Sequence, residues 1–295
     1  MLSISEPGPA DYGKLILLSA IWGSTFFAIE YALVDFSPLG VAGLRIVIGA
    51  VTLAPIIFIK RLPLPRSLRH WRLIFLAGFL YSALPFTLIS WGQQFISSGT
   101  TAIALAFGPL IALIIAHKFT VDEKLTLQKL AGVVVGLTGV IVLIGLDALD
   151  GNRNAVLGQL AVIGAVSCYV CASLVTRRLG DFHSLVLSTT TLGTAALYML
   201  PALFLLNTPI TGAGTQALTA IVFLGIVPTA LAYVLRVQIV LKVGATFLSQ
   251  VSYLIPLFAL FWGRLFLDET PATNAWIALL LILAGMAITR LPSKR

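Results

Sequence analysis

Apolar residues in this chain fall into ten long runs, at 12–33, 38–60, 71–92, 98–118, 126–146, 156–177, 184–206, 216–240, 245–267 and 272–290. Each comes close to or exceeds the roughly 20 residues a helix needs to cross the hydrocarbon core of a bilayer. A lone helix satisfies its own backbone in lipid, as an open strand does not. The pattern therefore predicts an all-α polytopic membrane protein with ten transmembrane helices. Polar positions gather in short connections, the longest being Lys60–His70 and Asp147–Ala155. Pro85, Pro109, Pro228 and Pro256 interrupt runs three, four, eight and nine. A proline removes one backbone hydrogen bond and frees a carbonyl. Each of the four marks a kink, or else a hinge or gate whose carbonyl is offered to a substrate amine.

The pattern occurs twice. Asp122-Glu123 is followed, sixteen residues after Glu123, by Gly139 in an apolar run, and Asp268-Glu269 is followed by Gly285 at the same spacing. Each pair follows a run with a central proline, which itself follows a glycine (Gly99, Gly244). The offset of 146 residues divides the chain into 1–147 and 148–295, five runs each. Five is odd, so the second copy enters the bilayer upside down. Inverted repeats of this kind build two alternating gates around one midplane site.

Composition agrees: 59% of residues are hydrophobic and 10% charged, against about 25% charged in soluble domains, and mean hydropathy is +1.02. The net charge of +8 would suggest nucleic acid on a soluble protein. Here it reports topology instead. With the N-terminus in the cytoplasm, sixteen Lys and Arg fall on the inner side, and only Arg153 and Arg264 fall outside. That positive-inside bias puts both termini in the cytoplasm, Asp122-Glu123 inside and Asp268-Glu269 outside. The acidic pairs lie far from the midplane, where they cap or anchor the turns into runs five and ten. The first eleven residues lack the basic start of a cleaved signal peptide, so the first run is retained as a helix. Cys168 and Cys171 lie in one apolar run with no second pair and no nearby His, which suits small packing residues rather than a redox or metal site. No cofactor fingerprint and no metal motif is present.

Several residues resemble a known family. Trp22-Gly23-Ser24-Thr25-Phe26 resembles the opening of the EamA-type carriers of the drug/metabolite transporter superfamily, and Arg45 sits where that family often has an arginine. Leu231-Ala232-Tyr233, Pro256, Asp268-Glu269 and Leu283-Ala284-Gly285 are similar to its second repeat. The resemblance covers nearly the whole chain and, within the family, is greatest to the bacterial exporters of aromatic amino acids. It implies a ten-helix carrier in the bacterial inner membrane. The second copy departs at Ala278, where the first has Gly132, and at Cys168-Tyr169, where the first has Trp22-Gly23. The two half-sites need not mirror each other.

Polar and aromatic residues on the interrupted runs are the candidate substrate contacts. Trp22, Ser24 and Thr25 lie midway along run one, and Tyr169 midway along run six. Tyr81 precedes Pro85, Tyr233 follows Pro228, and Gln250 and Tyr253, three apart, share a helix face. An apolar pocket with few polar groups suits a small amphipathic ligand, and aromatic walls suit a planar side chain or a cation. For each residue, helix packing is the alternative role. Arg45 lies about 10 Å along its helix, where an unpaired charge is costly. It either pairs with Glu30, or binds a substrate carboxylate, or snorkels to the outer headgroups. Gly132, Gly136 and Gly139 form a smooth stripe for close packing within the chain or between subunits. Monomer and weak dimer both stay open.

The sequence thus predicts a secondary carrier exporting small amphipathic metabolites, amino acids among them, with a small molecule and lipid as its partners. Carriers of sugar phosphates need more basic groups at depth, and a carrier of cationic drugs is a further alternative. An intramembrane enzyme needs a buried acidic pair or a His-based motif, yet His70, His117 and His183 stand at run ends. Glu30 is the one candidate for proton coupling, and it is shallow, which favours facilitated transport.

Overall fold

The computed structural model describes residues 6–119, 127–149, 151–179, 182–205, 212–243, 245–248 and 250–290. The acidic pair Asp122-Glu123 lies outside these. Among the described residues every regular element is helical. The chain begins with α1 (Pro9–Leu33) and α2 (Pro38–Ile59). Then α3 (Leu68–Gly78) runs through a π-helical segment, Phe79–Ala83, into α4 (Leu84–Gly92). Next come α5 (Ser98–Leu105), α6 (Gly108–Phe119), α7 (Leu127–Leu149), α8 (Arg153–Arg177) and α9 (Ser184–Leu205). Then α10 (Thr215–Leu224) passes through a second π-helical segment, Gly225–Leu231, into α11 (Ala232–Val243). The chain ends with α12 (Ala245–Leu248), α13 (Val251–Leu267) and α14 (Thr273–Arg290). Seven helical stretches are long and apolar enough to cross a membrane, and Ser98–Ile114, Val251–Leu267 and Thr273–Thr289 are shorter apolar helices. Large apolar side chains such as Val51, Val134, Ile141, Phe204 and Leu280 point outward, as lipid-facing surface requires.

Local chemistry sets the helix starts. Ser37 accepts the Gly40 N–H ahead of Pro38, and Ser97 accepts the Thr100 N–H. Both are N-caps, and Pro38 stands in a first turn that needs no donor. The prolines break the helices less directly than their central positions suggest. Pro85 sits in the first turn of α4. The interruption between α5 and α6 falls at Ala106–Phe107, with Pro109 already the second residue of α6. Pro256 lies inside an unbroken α13, six residues beyond the turn at Gln250. Only Pro228 occupies its irregular segment.

Packing joins α1 to α10 and α13, α2 to α9, α4 to α8, α6 to α8, and α7 to α14. The glycine stripe of α7 meets α14 of the same chain. A Cβ on Gly132 would stand 2.6 Å from the Gly285 carbonyl oxygen, and one on Gly285 would stand 2.5 Å from that of Gly132. Gly139 faces Ala278 and Ile282.

The second acidic pair serves a different helix from the one the sequence suggests. Glu269 accepts from Ser98 N (2.9 Å), Ser98 Oγ (2.8 Å) and Gly99 N (3.3 Å). It therefore caps α5, across the chain, rather than α14, while Asp268 ends α13 in the left-handed conformation at φ 53°. The unpaired N–H groups of a helix start attract a carboxylate. Glu269→Ala is expected to destabilise the protein by about 1–2 kcal/mol, with Glu269→Gln intermediate. Thermal unfolding in detergent checks this, and a melting point equal to the unsubstituted protein's contradicts the cap.

Candidate substrate site

A cavity of about 300 Å³ lies between α1, α2, α4, α8 and the second π-helical segment. Its walls include Trp22, Thr25, Phe26, Tyr81, Phe86, Tyr169 and Tyr233, with Ile89, Leu105, Ile255 and Pro228 filling the rest. Tyr81 stands at the centre of the aromatic wall, its ring 5.5 Å from that of Tyr169 and 5.8 Å from that of Tyr233. The Tyr233 hydroxyl is buried beside Ser82. The two oxygens do not meet hydrogen-bond geometry, and both lack a partner among the described residues.

Arg45 is the charged group of this cavity wall. It is 4% exposed, which rules out snorkelling. Its Nε and one terminal nitrogen donate to Thr229 Oγ1 at 3.3 and 3.2 Å, and the guanidinium carbon lies 4.1 Å from the centroid of the Phe86 ring. Glu30 is engaged elsewhere: Gln93 Nε2 donates to it at 3.1 Å and to the Phe26 carbonyl at 3.0 Å. The proposed Arg45–Glu30 pair is absent, because Glu30 lies a turn beyond the cavity with its own donor. A guanidinium has five donors, and here two converge on one neutral oxygen.

The π-helical segment explains how Arg45 is held. Proline 228 would free the carbonyl four residues back, that of Leu224, and the Thr229 hydroxyl donates to it at 2.7 Å. That carbonyl is thus taken up internally rather than offered to a substrate amine. The same hydroxyl turns its lone pairs to Arg45. Close approach of α2 makes this possible. A Cβ on Gly49 would lie 2.7 Å from Thr229 Cγ2, and one on Gly225 2.5 Å from Ile48 Cβ. Trp22 closes the other side, its Nε1 donating to the Pro228 carbonyl at 3.2 Å.

Of the residues singled out from sequence, Trp22, Arg45, Tyr81, Tyr169, Tyr233 and Pro228 border this one cavity. Others stand apart. Ser24 is buried and donates to the carbonyl of Ile21 in its own helix. Gln250 precedes α13, and Tyr253 packs against the apolar cluster around Leu260 and Leu279. Pro85, Pro109 and Pro256 are not among its walls. Cys168 is half-buried and Cys171 exposed, both as free thiols. Among the described residues no cluster of His, Cys, Asp or Glu could hold a metal.

Comparison with known proteins then identifies the chain. The sequence profile of the EamA-like transporter family matches it twice, at residues 13–145 and 156–291. The chain belongs to the EamA-like transporter family. As an EamA-like protein it is a multi-pass membrane transporter of small molecules and not an enzyme. It is 28% identical over 274 residues to the uncharacterized transporter YoaV of Bacillus subtilis, covering 92% of this chain and 94% of that one. It is 24% identical over 285 residues to a protein of Escherichia coli named a probable amino-acid metabolite efflux pump, covering 92% of each. A solved crystal structure at 20% identity superposes with a TM-score of 0.68, covering 97% of this chain and 99% of that one, and so shares the fold.

Four wall residues of this EamA-like cavity carry no mark in the sequence. Phe86, Ile89, Leu105 and Ile255 are ordinary apolar residues in apolar runs. Thr229 sits beside a proline, a cue only in hindsight. Arg236, near a helix end, reads as a topology marker, but its guanidinium carbon lies 5.7 Å from the Tyr81 ring centroid.

Proposed function

We propose that this protein is a secondary carrier that exports small amphipathic metabolites bearing a carboxylate, chiefly amino acids with aromatic or apolar side chains. The observation that carries the reading is Arg45: a guanidinium buried at 4% exposure in the cavity wall, with no carboxylate partner among the described residues. A buried cation with spare donors is strongly predisposed to a fork-shaped anion. Opposite it, tyrosine and tryptophan rings supply flat apolar surface, and the Tyr233 hydroxyl supplies an acceptor for the amine. Among the described residues no Asp or Glu borders the cavity, which weighs against cationic drugs. One guanidinium and a mainly aromatic wall weigh against sugar phosphates. The name of the Escherichia coli relative and that of a probable terminal-alkyne amino-acid exporter of Streptantibioticus cattleyicolor, 25% identical over 276 residues, point the same way.

The architecture in this reading is ten spans in the bacterial inner membrane, as two inverted five-helix repeats, 1–147 and 148–295, with both termini cytoplasmic. Three findings support it. The family profile matches twice. The packing pairs exchange under the duplication, α1–α13 answering α6–α8, α4–α8 answering α1–α11 and α3–α8 answering α1–α10, while α2–α9 and α7–α14 map onto themselves. The two π-helical segments begin at Phe79 and Gly225, 146 residues apart. Such segments recur at functional sites, and here they and the α5–α6 interruption are the hinges about which the repeats rock. Glu30 faces Gln93 rather than the cavity, so transport runs down the substrate gradient.

Counterflow tests the proposal. Proteoliposomes preloaded with unlabelled phenylalanine are expected to accumulate labelled phenylalanine transiently, unaffected by collapse of the proton gradient, with unlabelled tryptophan competing. Absence of counterflow with phenylalanine, tryptophan and threonine alike overturns the amino-acid reading.

A further inference from the structure

We infer that Arg236 and Tyr81 form a second anion-binding station, on the Lys242 side of the cavity, that receives a substrate carboxylate before it reaches Arg45. The inference rests on the carrier reading above. Arg236 follows Tyr233 by three residues on α11, so the two share a helix face. Its guanidinium lies over the ring of Tyr81, 5.7 Å from the centroid, and Tyr81 is itself a cavity wall in contact with Tyr169 and Tyr233. The Arg236 side chain is half-buried and, among the described residues, makes no ion pair and no hydrogen bond; its contact is the tyrosine face. A residue that served topology alone would extend to the headgroups, as arginines at helix ends do. This one folds inward.

Spacing gives the station its role. Arg236 lies seven residues beyond Thr229, the partner of Arg45, or about 10 Å along the helix. It lies six residues before Lys242, whose Nζ is held by Asp11 at 2.8 Å. Lys242 and Arg236 on α11, with Arg45 of α2 held against Thr229 just before that helix, therefore place an occupied cation, Arg236 and the buried Arg45 in succession. Tyr81 borders the cavity that Arg45 lines and carries Arg236 against its ring, so a carboxylate passes from one guanidinium to the other over its face. Among the described residues no acidic residue lines the cavity. The recognised chemistry is a monocarboxylate attached to an aromatic or apolar body; the corresponding neutral amide gains nothing from Arg236.

The test uses the full-length chain in lipid nanodiscs, with 3-phenylpropionate and its neutral amide as probes and phenylalanine as the amino acid. Binding is read from the fluorescence of the cavity tryptophan, calibrated by Trp22→Phe. Arg236→Gln is expected to weaken 3-phenylpropionate about tenfold and leave the amide unchanged. Arg236→Lys should restore most of the loss. Equal affinity of 3-phenylpropionate for wild type and Arg236→Gln overturns the station, as does equal weakening of acid and amide, which marks a structural role. Failure of 3-phenylpropionate to bind either protein also overturns it. Phenylalanine failing to bind, while acid and amide behave as expected, sinks the amino-acid reading and leaves the station standing.

Discussion

Arg45→Gln is expected to abolish transport while the protein remains folded. Initial counterflow of labelled phenylalanine should fall by about 30- to 4000-fold. The magnitude follows from the site. Truncating one partner of a buried, hydrogen-bonded charge pair costs about 2–5 kcal/mol, and each 1.4 kcal/mol is about a factor of ten. Glutamine is shorter, but its amide nitrogen stands where the Arg45 Nε now donates to Thr229, so α2 and the π-helical segment stay together. What is lost is the cation facing the ligand. Arg45→Lys is expected to recover part of the rate, because an ammonium attracts the carboxylate without the two parallel bonds of a guanidinium. Transport by Arg45→Gln at the wild-type rate would remove the basis of the carboxylate assignment.

Gly285→Leu has the second largest expected effect, on stability rather than on chemistry. Gly285 lies against the Gly132 carbonyl and the Gly136 amide, at 2.5 and 2.7 Å from any added Cβ. Both neighbours are backbone, so neither can rotate away. Lipid supplies little hydrophobic drive for helix association, and close approach at small residues replaces it. Overpacking of this kind costs about 1–3 kcal/mol and occasionally more, so unfolding in detergent should shift by at least that much. Gly193→Ala is the control: nothing lies within 4 Å of its Cβ, and a helical Gly→Ala change is then neutral or slightly stabilising. Equal stability of Gly285→Leu and Gly193→Ala would contradict the packing.

Membrane crossing and the all-helical fold are legible in the sequence because lipid imposes one rule on every residue of a span. The site is legible in part, for a reason that differs by residue. Tyr81, Tyr169, Tyr233 and Trp22 stand out as large polar-tipped rings in apolar helices, and the cavity gathers them. Ser24 misleads because a hydroxyl in a helix bonds its own backbone as easily as a ligand. It also sits two residues from Trp22, on another face. Gln250 and Tyr253 share a face with each other, but spacing does not say which neighbour that face meets. Arg45 stands out as a charge within an apolar run, but its partner, Thr229, stands 184 residues away with no local mark. Arg236 shows the limit of counting charges: the count bears on topology and is blind to a side chain that turns inward.

The α7–α14 seam has a consequence for the order in which this protein is made. Gly285 follows Gly136 by 149 residues, and a ribosome adds about 5–20 residues per second. For roughly 7–30 s, then, the smooth face of α7 sits in the bilayer with no mate. During that interval any other small-residue helix can dock there. Completion of the chain is therefore also the step that closes its first half against strangers.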